Sequence, residues 1–333
     1  MPLVLAEVLV WQTEGVVRQG LIQCPAANCA QEYPIIDGIP ILMPSVREYV
    51  SAYAPMILQR NDLTDPIESL IGDCLGPDHQ HNLTRYYLSS YAHDGFLRDD
   101  DDDGVLGVFK ALTELMNLPQ ALDGPVLDLG CSVGRSTFAL GEMFGALALG
   151  IDMNFSMLRL AQDALYESSV RFPRRRVGLV YGRSKHLTGY ENRECVDFWA
   201  CDAQSLPFPS QTAKQIIGLN VLDSVHSPLA LLKELARVLV DDGIAGLATP
   251  FDWSARTTPM ENWIGGHSQR NYIGGSPEVA LEAVLANLNT PAGLSMIGNR
   301  EVNWSSTVSD RSRVMYQDFL FAVRKSAPPD GPG

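Results

Sequence analysis

Five short apolar segments alternate with helical segments between Gly124 and Trp253, and this alternation restricts the fold more than any other feature of the chain. The apolar segments are PVLDLG, ALALGID, VDFWACD, QIIGLNVLDS and GIAGLATPFDW. Short apolar strands separated by amphipathic helices such as SPLALLKELARVLV predict an α/β fold, in which a parallel sheet carries helices on both faces. The later segments AGLSMIGNREVNWS and RVMYQDFLFAVRK flank the turn-rich SDRS. They predict an antiparallel strand pair that closes the sheet.

A glycine loop, GCSVG, occupies residues 130–134 directly after the first strand. Its letters fit two different sites: the nucleophile elbow of a serine hydrolase, with Ser132 as the nucleophile, and a loop that holds a nucleotide-like cofactor. A hydrolase elbow normally follows several strands of its sheet, whereas this loop follows the first. The position therefore favours the cofactor loop. A hydrolase stays open as an alternative because His226 and His267 lie downstream.

Three acids, Asp128, Asp152 and Asp202, end the first three strands in turn. In open α/β sheets the ligand binds outside the carboxyl ends of the strands, where an acid after the second strand can hold ribose hydroxyls. A carboxylate beside the glycine loop would repel a pyrophosphate. It would attract S-adenosylmethionine, which has a cationic ammonium, a cationic sulfonium and no phosphate. We therefore expect S-adenosylmethionine as the cofactor.

The segments VLDLGCSVGRS, GIDMN, CDAQSLPF, NVLDSV and LLKELARVLVDDG together resemble the class I S-adenosylmethionine-dependent methyltransferases. The resemblance implies a Rossmann-like doubly wound sheet, with S-adenosylmethionine as the methyl donor and S-adenosylhomocysteine as the product. The cofactor-binding residues that it implies follow the strands: Asp128, Gly130, Cys131, Ser132, Gly134, Asp152, Met153, Asp202, Ala203, Asn220 and Val221. A helix ahead of the sheet commonly caps the cofactor in this fold, which adds Tyr91. Ser132 stands where many members carry glycine.

The loop after the fifth strand contains most of the residues that we expect to bind the methyl acceptor. Trp253 and Trp263, with Glu261, are expected to line an aromatic pocket, and the alternative is a structural loop that covers the sheet edge. Tyr86, ahead of the sheet, is a further substrate-binding candidate. DLGCSVGRS together with TPFDW and TPMENWIGG is similar to the ovothiol-pathway methyltransferases, which act on mercaptohistidine. This similarity implies a small-molecule acceptor with an imidazole or amine nitrogen or a thiol.

Three residues are candidates for a catalytic base. Methyl transfer is an in-line displacement at a sulfonium that is already activated, so a neutral amine or a thiolate needs a base less than a hydroxyl does. His226 and Asp223 follow the fourth strand, and His267 lies in the loop after the fifth strand. The alternative for His226 is a structural role.

The first 45 residues resemble the small zinc-ribbon-like domain that serves as an activator partner for several methyltransferases. Cys24 and Cys29 provide only one of the two cysteine pairs that a structural zinc site usually needs, so we expect a degenerate, β-rich domain without metal. We expect a helical linker or cap at residues 46–121 and the methyltransferase domain at residues 122–325. A substrate-side insertion is expected at residues 251–276, and a disordered tail at residues 326–333.

The net charge of −14 argues against a broad nucleic-acid surface and favours a small-molecule partner. We expect the one dense basic run, Arg174-Arg175-Arg176, to be a solvated loop. The N-terminus lacks the basic start of a signal peptide, no segment predicts a membrane span, and the six scattered cysteines do not form a disulfide pattern. We therefore expect a cytoplasmic protein. Self-association, a protein or RNA acceptor, and a non-catalytic cofactor-binding module stay open.

Overall fold

The computed structural model describes residues 2–29, 31–46, 48–49, 77–78, 80–97, 103–118, 124–266, 275–288 and 293–326. Most of the segment between residues 46 and 79, the candidate base His267 and the predicted tail from residue 327 lie outside these described residues. None of the described helices has the length and apolar composition that crossing a bilayer requires.

The secondary structure agrees with the predicted alternation. The strands are β1 (Val4–Thr13), β2 (Val16–Gln23), β3 (Glu32–Ile36), β4 (Ile39–Pro40), β5 (Val126–Leu129), β6 (Ala148–Asp152), β7 (Ser169–Val177), β8 (Val180–Leu187), β9 (Val196–Ala200), β10 (Ala213–Leu219), β11 (Leu239–Thr249), β12 (Leu294–Ser309) and β13 (Ser312–Lys325). The helices are α1 (Gln80–Phe96), α2 (Val105–Met116), α3 (Arg135–Phe144), α4 (Phe155–Tyr166), α5 (Pro228–Val238) and α6 (Pro277–Ala286).

Seven strands form a central sheet in the order β12-β13-β11-β10-β5-β6-β9. Five neighbouring strands of this sheet are parallel, namely β11, β10, β5, β6 and β9, so their carboxyl ends meet at one edge. Strands β12 and β13 add the predicted antiparallel pair beside β11. Every residue of β5 is buried, because helices α1 to α4 contribute to the core on one face and helices α5 and α6 to the core on the other. The predicted Rossmann-like doubly wound sheet is confirmed.

Capping residues in the sequence explain where several helices begin. The Asn154 side chain accepts the N–H groups of Ser156 and Met157 at the start of α4. Ser227 and Ser276 cap α5 and α6, and a proline occupies the first turn of each of these helices. Helix α3 is different, because Gly134 precedes it and provides no side-chain cap. Its first N–H groups therefore remain available at the edge where the parallel strands end.

The N-terminal residues form the β-rich unit that the sequence predicts, an antiparallel sheet of β1 to β4. This sheet docks on the otherwise open edge of β9, where the Leu42 N–H donates to the Ala200 carbonyl at 2.9 Å. Gln162 of α4 donates to the Gly38 carbonyl at 2.9 Å, and Ile39 is fully buried. The small sheet therefore completes the core of the large one and covers its edge strand.

The prediction of a solvated loop for Arg174-Arg175-Arg176 is wrong. These residues lie in β7, which forms an antiparallel hairpin with β8. Arg174 is only 5% exposed, and its Nη2 atom is 2.8 Å from Oδ1 of Asp310, in the turn between β12 and β13. Arg176 pairs with the other oxygen of Asp310 at 3.1 Å. The charge is tolerated in a buried position because a carboxylate from a distant turn accompanies it.

Candidate active site

The loop between β5 and α3 folds back on the sheet edge through three residues with left-handed backbone conformations. Gly130, Ser132 and Gly134 have φ angles of 73°, 52° and 86°. The Gly130 N–H donates to the Ile151 carbonyl at 2.7 Å, so the loop lies against the end of β6. Glycine is required at position 134 because a Cβ there would lie 2.5 Å from the Phe198 ring. The loop therefore brings bare backbone to the edge where a ligand binds.

Asp152, at the end of β6, holds this edge together. Its carboxylate accepts the Ser132 N–H at 2.8 Å and the Asn154 N–H at 2.7 Å. Burial raises the pKa of Asp152, although the backbone N–H groups oppose that rise. The Tyr49 hydroxyl donates to the Met153 carbonyl at 2.6 Å, a contact that was not predicted from the sequence. The predicted ribose-binding carboxylate is thus fixed by the backbone of the cofactor loop, and it retains capacity to accept further hydrogen bonds.

Asp128 is the most enclosed of the three predicted cofactor acids, at 1% exposure. Its Oδ2 atom accepts the hydroxyls of Ser136 and Thr137, each at 2.6 Å, which ties the start of α3 to β5. Its Oδ1 atom has no hydrogen-bond partner. Burial raises the pKa of Asp128 to about 6, and the two hydroxyls oppose that rise. One oxygen therefore has two structural partners, and the other is the atom left for a ligand.

Three buried oxygen atoms at this edge lack hydrogen-bond partners: Asp128 Oδ1, Ser132 Oγ and Asn220 Oδ1. Asn220 follows β10 with a left-handed φ of 56°, and the next residue, Val221, packs over Gly130. Buried polar atoms are nearly always paired in proteins, so such a group of acceptors indicates a ligand that carries donors. The ammonium and ribose hydroxyls of S-adenosylmethionine are donors of this kind, and the residues present fit that cofactor.

The predicted adenine-side loop after β9 is held rigidly by α5. Asp202 is half-buried, Ala203 is buried, and the Asp202 carboxylate accepts the backbone N–H two residues on at 2.8 Å. The Leu206 N–H donates to Glu234 at 2.7 Å. Arg237 donates to the Leu206 carbonyl at 3.0 Å and to the Glu234 carboxylate at 2.6 Å. The loop geometry is therefore set before any ligand binds.

The described residues give the hydrolase alternative no support. The Ser132 hydroxyl has no hydrogen-bond partner, whereas a serine nucleophile needs a base within reach. The side chain of His226 is exposed, and the contact found for this residue is its backbone carbonyl, which accepts from Asn262 at 3.0 Å. The thiol of Cys131 is equally unsuited to be a nucleophile, because burial raises its pKa well above the usual value.

Ser132→Ala separates the two interpretations of the loop. We expect less than about a tenfold loss of turnover, because the backbone N–H of residue 132, and not its hydroxyl, bonds Asp152. Loss of a nucleophile would cost on the order of 10⁵-fold or more. Initial rates of methyl transfer at saturating S-adenosylmethionine measure the effect. A loss of several orders of magnitude would contradict the interpretation that residue 132 contributes its backbone and not its hydroxyl.

An acidic cluster lies beside the cofactor loop and comprises Asp223, Asp252 and Asp318 with Tyr91 and Tyr316. Asp223 is buried in the 3₁₀ turn after β10. Its Oδ2 atom accepts the Asp252 N–H at 2.8 Å, and its Oδ1 atom has no partner. Burial raises the pKa of Asp223 to about 6. Burial also raises the pKa of Tyr316, and the three carboxylates add to that rise, so all of them lie within electrostatic reach of its hydroxyl.

Asp318 is a member of the acidic cluster that was not predicted from the sequence. It lies in β13, where the next residue, Phe319, pairs with the last residue of β11, so Asp318 is level with the carboxyl edge of the parallel strands. Its side chain is fully buried, and neither carboxylate oxygen has a hydrogen-bond partner. Burial raises the pKa of Asp318 to about 6, although Trp304 and Asn220 face the carboxylate and oppose that rise.

Tyr91 connects the cofactor loop with the acidic cluster. The residue is 50% exposed, yet the protein around its hydroxyl raises its pKa strongly, a combination that fits a side chain lining a deep cleft. After burial, the largest contribution to that rise comes from Asp152, and Asp223 adds a smaller one. Tyr86 lies earlier in α1, where the Arg175 guanidinium covers its ring at 5.1 Å. Tyr86 also adds to the rise in the pKa of Tyr316, so both predicted tyrosines lie within electrostatic reach of the acidic cluster.

Trp253 of the predicted tryptophan pocket directly follows Asp252 of the acidic cluster. Trp253 and Trp263 stack on each other, with ring centroids 6.1 Å apart and planes 13° apart. Trp253 packs against the same core cluster as Phe319. Because successive residues of a strand point to opposite faces, Asp318 faces away from that core. Glu261 is exposed in a 3₁₀ turn. Trp263 Nε1 donates to the Thr258 carbonyl at 2.8 Å, whereas Trp253 Nε1 is buried without a hydrogen-bond partner. The substrate pocket therefore stays a prediction beside its structural alternative.

Comparison with known proteins agrees with this geometry. Residues 127–247 match the family model described as "Methyltransferase domain". No curated protein sequence matches the chain. Solved structures that superpose on this chain include an S-adenosylmethionine-dependent methyltransferase from Methanosarcina mazei. Its sequence is 20% identical over 63% of this chain and 94% of the other, and the TM-score is 0.42. The [4+2]-cyclase SpnF is 16% identical over 87% of this chain and 98% of its own, with a TM-score of 0.44.

A third structure is a geranyl diphosphate methyltransferase in complex with its diphosphate and sinefungin, at 11% identity over 66% of this chain and 77% of the other, with a TM-score of 0.42. Similarities this low carry no conclusion about the reaction or the acceptor. The family match, the glycine loop and the confirmed sheet do bear on the kind of domain and on its cofactor. Residues 127–247 are a methyltransferase domain with the class I fold, and its cofactor is S-adenosylmethionine.

Proposed function

We propose that this protein transfers the methyl group of S-adenosylmethionine to a basic nitrogen, an amine or an imidazole, of a small molecule. The observation that carries this proposal is the acidic cluster beside the cofactor loop. Asp223 and Asp318 are buried, and each has at least one carboxylate oxygen without a hydrogen-bond partner. Among the described residues, no arginine or lysine forms an ion pair with Asp223, Asp252 or Asp318.

Buried carboxylates without a cationic partner are costly even where N–H groups face them, and a cationic ligand would offset that cost. Aromatic rings accompany these carboxylates, since Tyr91 and Tyr316 belong to the acidic cluster and Trp304 stacks on Tyr316 with centroids 5.1 Å apart. A protonated amine or imidazole is attracted both to carboxylates and to ring faces. The chemistry of the cluster therefore matches a basic nitrogen compound.

The same electrostatics favour a nitrogen over a thiol in binding. Neighbouring carboxylates raise the pKa of a thiol and of an ammonium alike, so each acceptor has to give up a proton before it attacks. Only the ammonium or imidazolium is a cation that the carboxylates attract into the site, whereas a thiol enters neutral and has to form a second negative charge there. For a mercaptohistidine-like acceptor, which the sequence suggests, we therefore propose a ring or amine nitrogen and not the sulfur as the methylated atom.

Asp223 is the residue that we assign to proton transfer. A nitrogen must be unprotonated to attack, so an ammonium or imidazolium has to lose a proton in the site. Asp223 Oδ1 has no hydrogen-bond partner, and a pKa of about 6 makes it a stronger base than a surface aspartate. S-adenosylmethionine supplies an activated methyl group when it is bound. The remaining work of the chain is to orient the acceptor and to exclude water.

A matched pair of acceptors tests the proposal. We expect label from methyl-labelled S-adenosylmethionine to appear on phenethylamine or 4-methylimidazole at a rate at least about tenfold above that on phenethylthiol. The amine and the thiol differ only in the acceptor atom, so their ratio measures the preference of the site. Label found on the thiol alone would overturn the nitrogen proposal.

Two further arms address the alternatives in other classes. Label transferred to a cellular protein or RNA fraction, with none on small molecules, would favour a macromolecular acceptor. Tight binding of S-adenosylhomocysteine without transfer to any acceptor would favour a non-catalytic cofactor-binding module. Absence of cofactor binding in calorimetric titration would contradict the assignment of the cofactor itself.

A further inference from the structure

A cavity of about 550 Å³ lies between the turn of the β12–β13 hairpin, strand β7 and helix α1. Arginines and hydroxyl residues line it: Arg174, Arg311, Arg313, Thr307, Ser309 and Ser312. His93 and Asp310 complete the lining. None of these residues belongs to the acidic cluster or to the cofactor loop.

The lining of this arginine cavity is positive in a chain whose net charge is −14. Three arginines share the lining with one carboxylate, Asp310, with which Arg176 outside the cavity also pairs at 3.1 Å. A second carboxylate, Asp94, lies behind Thr307 and adds to the negative charge near Arg174. The side chains of Arg311 and Arg313 are exposed, and the described residues provide no ion pair for either. Arg311 and Arg313 therefore give the cavity positive charge that no described carboxylate pairs with.

Two buried side chains of the lining have polar atoms without hydrogen-bond partners. Arg174 is 5% exposed and its Nη1 atom has none, while Thr307 is 4% exposed and its Oγ1 atom has none. The other terminal nitrogen of the Arg174 guanidinium, Nη2, is paired, because it lies 2.8 Å from Asp310 Oδ1. A buried guanidinium is costly unless all its donors are satisfied, so the unmatched atoms point to a missing acceptor.

We infer that the arginine cavity binds the oxyanion of a small molecule, a phosphate or a carboxylate. Guanidinium forks match the planar and tetrahedral oxygen arrangements of these groups, and serine or threonine hydroxyls donate to the same oxygens. A volume of about 550 Å³ lies within the range of small-ligand pockets and exceeds what a bare ion needs. The site is separate from the acidic cluster, which would repel the same ligand.

Helix α1 connects this site with the acceptor side of the domain. Ser90 donates to the Thr307 carbonyl at 2.9 Å, and Asp94 accepts the Thr307 N–H at 3.0 Å, so the helix is bonded directly to the cavity wall. Tyr91, on the same turns of the helix, belongs to the acidic cluster. An anion bound in the arginine cavity would therefore lie beside α1, and the same helix contributes Tyr91 to the proposed acceptor site.

Calorimetric titration of the full chain at low ionic strength tests this inference, with inorganic phosphate, glycerol 3-phosphate and succinate as probes and glycerol as the neutral control. We expect saturable, one-to-one binding of at least one anion and none of glycerol. The double variant Arg311→Gln/Arg313→Gln is expected to weaken that binding at least about tenfold. Both side chains are exposed, so the variant should fold normally.

Arg171→Gln is the matched control, because Arg171 is an exposed arginine of β7 that does not line the cavity. It should bind the anions as the unaltered chain does. Equal loss in the control, or uptake without saturation, would show only general attraction to surface charge and would overturn the inference. Preference for an RNA oligonucleotide over all small anions would overturn it too. The titration measures anion binding alone, so failure of methyl transfer to every acceptor would leave its outcome unaffected.

Discussion

Asp152→Ala is expected to weaken binding of S-adenosylhomocysteine by about 10²- to 10³-fold, because two kinds of hydrogen bond are lost together. The carboxylate accepts the backbone N–H groups of Ser132 and Asn154, so its removal releases the loop that approaches the ligand. It is also the acid that ends β6, where the class I fold places the ribose hydroxyls. Calorimetric titration with S-adenosylhomocysteine gives the two dissociation constants.

Two further variants make this result interpretable. Asp152→Asn keeps the size of the side chain and one acceptor oxygen, so we expect an intermediate loss that separates the charge from the loop contacts. Glu282→Ala, an exposed acid on α6, should bind as the unaltered chain does. Circular dichroism at the titration temperature establishes that each variant is folded. A dissociation constant for Asp152→Ala within about threefold of the original would remove Asp152 from the cofactor site.

The cofactor side of the site could be predicted because its residues follow from local pattern. Apolar strands that alternate with helices form a parallel sheet, and residues that end such strands meet at one edge whatever the details of packing. Asp128, Asp152 and Asp202 are all found at that edge, as is Asn220. The turn conformations of the glycine loop follow equally from the residues that it contains.

Asp223 and Tyr91 of the acidic cluster were predicted from the sequence as site residues, whereas Asp318 could not be, because its burial depends on pairing between distant segments. Asp318 is the one acid of β13, directly before the apolar run FLFAV, and its burial becomes evident only when β13 lies between β11 and β12. Arg174 was expected to be solvated, and the carboxylate that accompanies it comes from the turn between β12 and β13. A charged residue within an apolar strand is nevertheless a usable signal, because burying it is costly unless a partner or a ligand compensates.

Asp318→Asn is expected to increase stability while it lowers activity, a combination that a structural residue would not give. The folded-state pKa of about 6 lies above the ordinary value of 3.8, so the folded state holds the proton more tightly than the unfolded state does. Stability therefore falls as pH rises from about 4 to about 6, and the full cost, on the order of 3 kcal/mol, is present at neutral pH. Asparagine removes the charge and hence most of that cost.

Urea unfolding measures the stability part of this prediction. We expect the free energy of unfolding of Asp318→Asn to exceed that of the original chain by roughly 1–3 kcal/mol at pH 7.5. The gain should shrink toward zero below about pH 3, under both pKa values, where the original aspartate is protonated in both states. Glu282→Gln is the control, because that carboxylate is exposed on α6 and its neutral replacement removes no buried charge. It should show no gain.

Activity measurements on Asp318→Asn distinguish a carboxylate that binds the acceptor from a buried charge that has no function. If Asp318 pairs with the cationic acceptor, its neutral replacement should lower kcat/KM for the basic acceptor by about 10²-fold, since truncating one partner of a buried charge pair costs 2–5 kcal/mol. The dissociation constant of S-adenosylhomocysteine should change by less than about threefold, because Asp318 lies on the acceptor side. Gain of stability with unchanged kcat/KM would leave Asp318 without a role in the acceptor site. Loss of both stability and activity would make its contribution structural, and only the opposed pair of effects fits a charge kept for the acceptor.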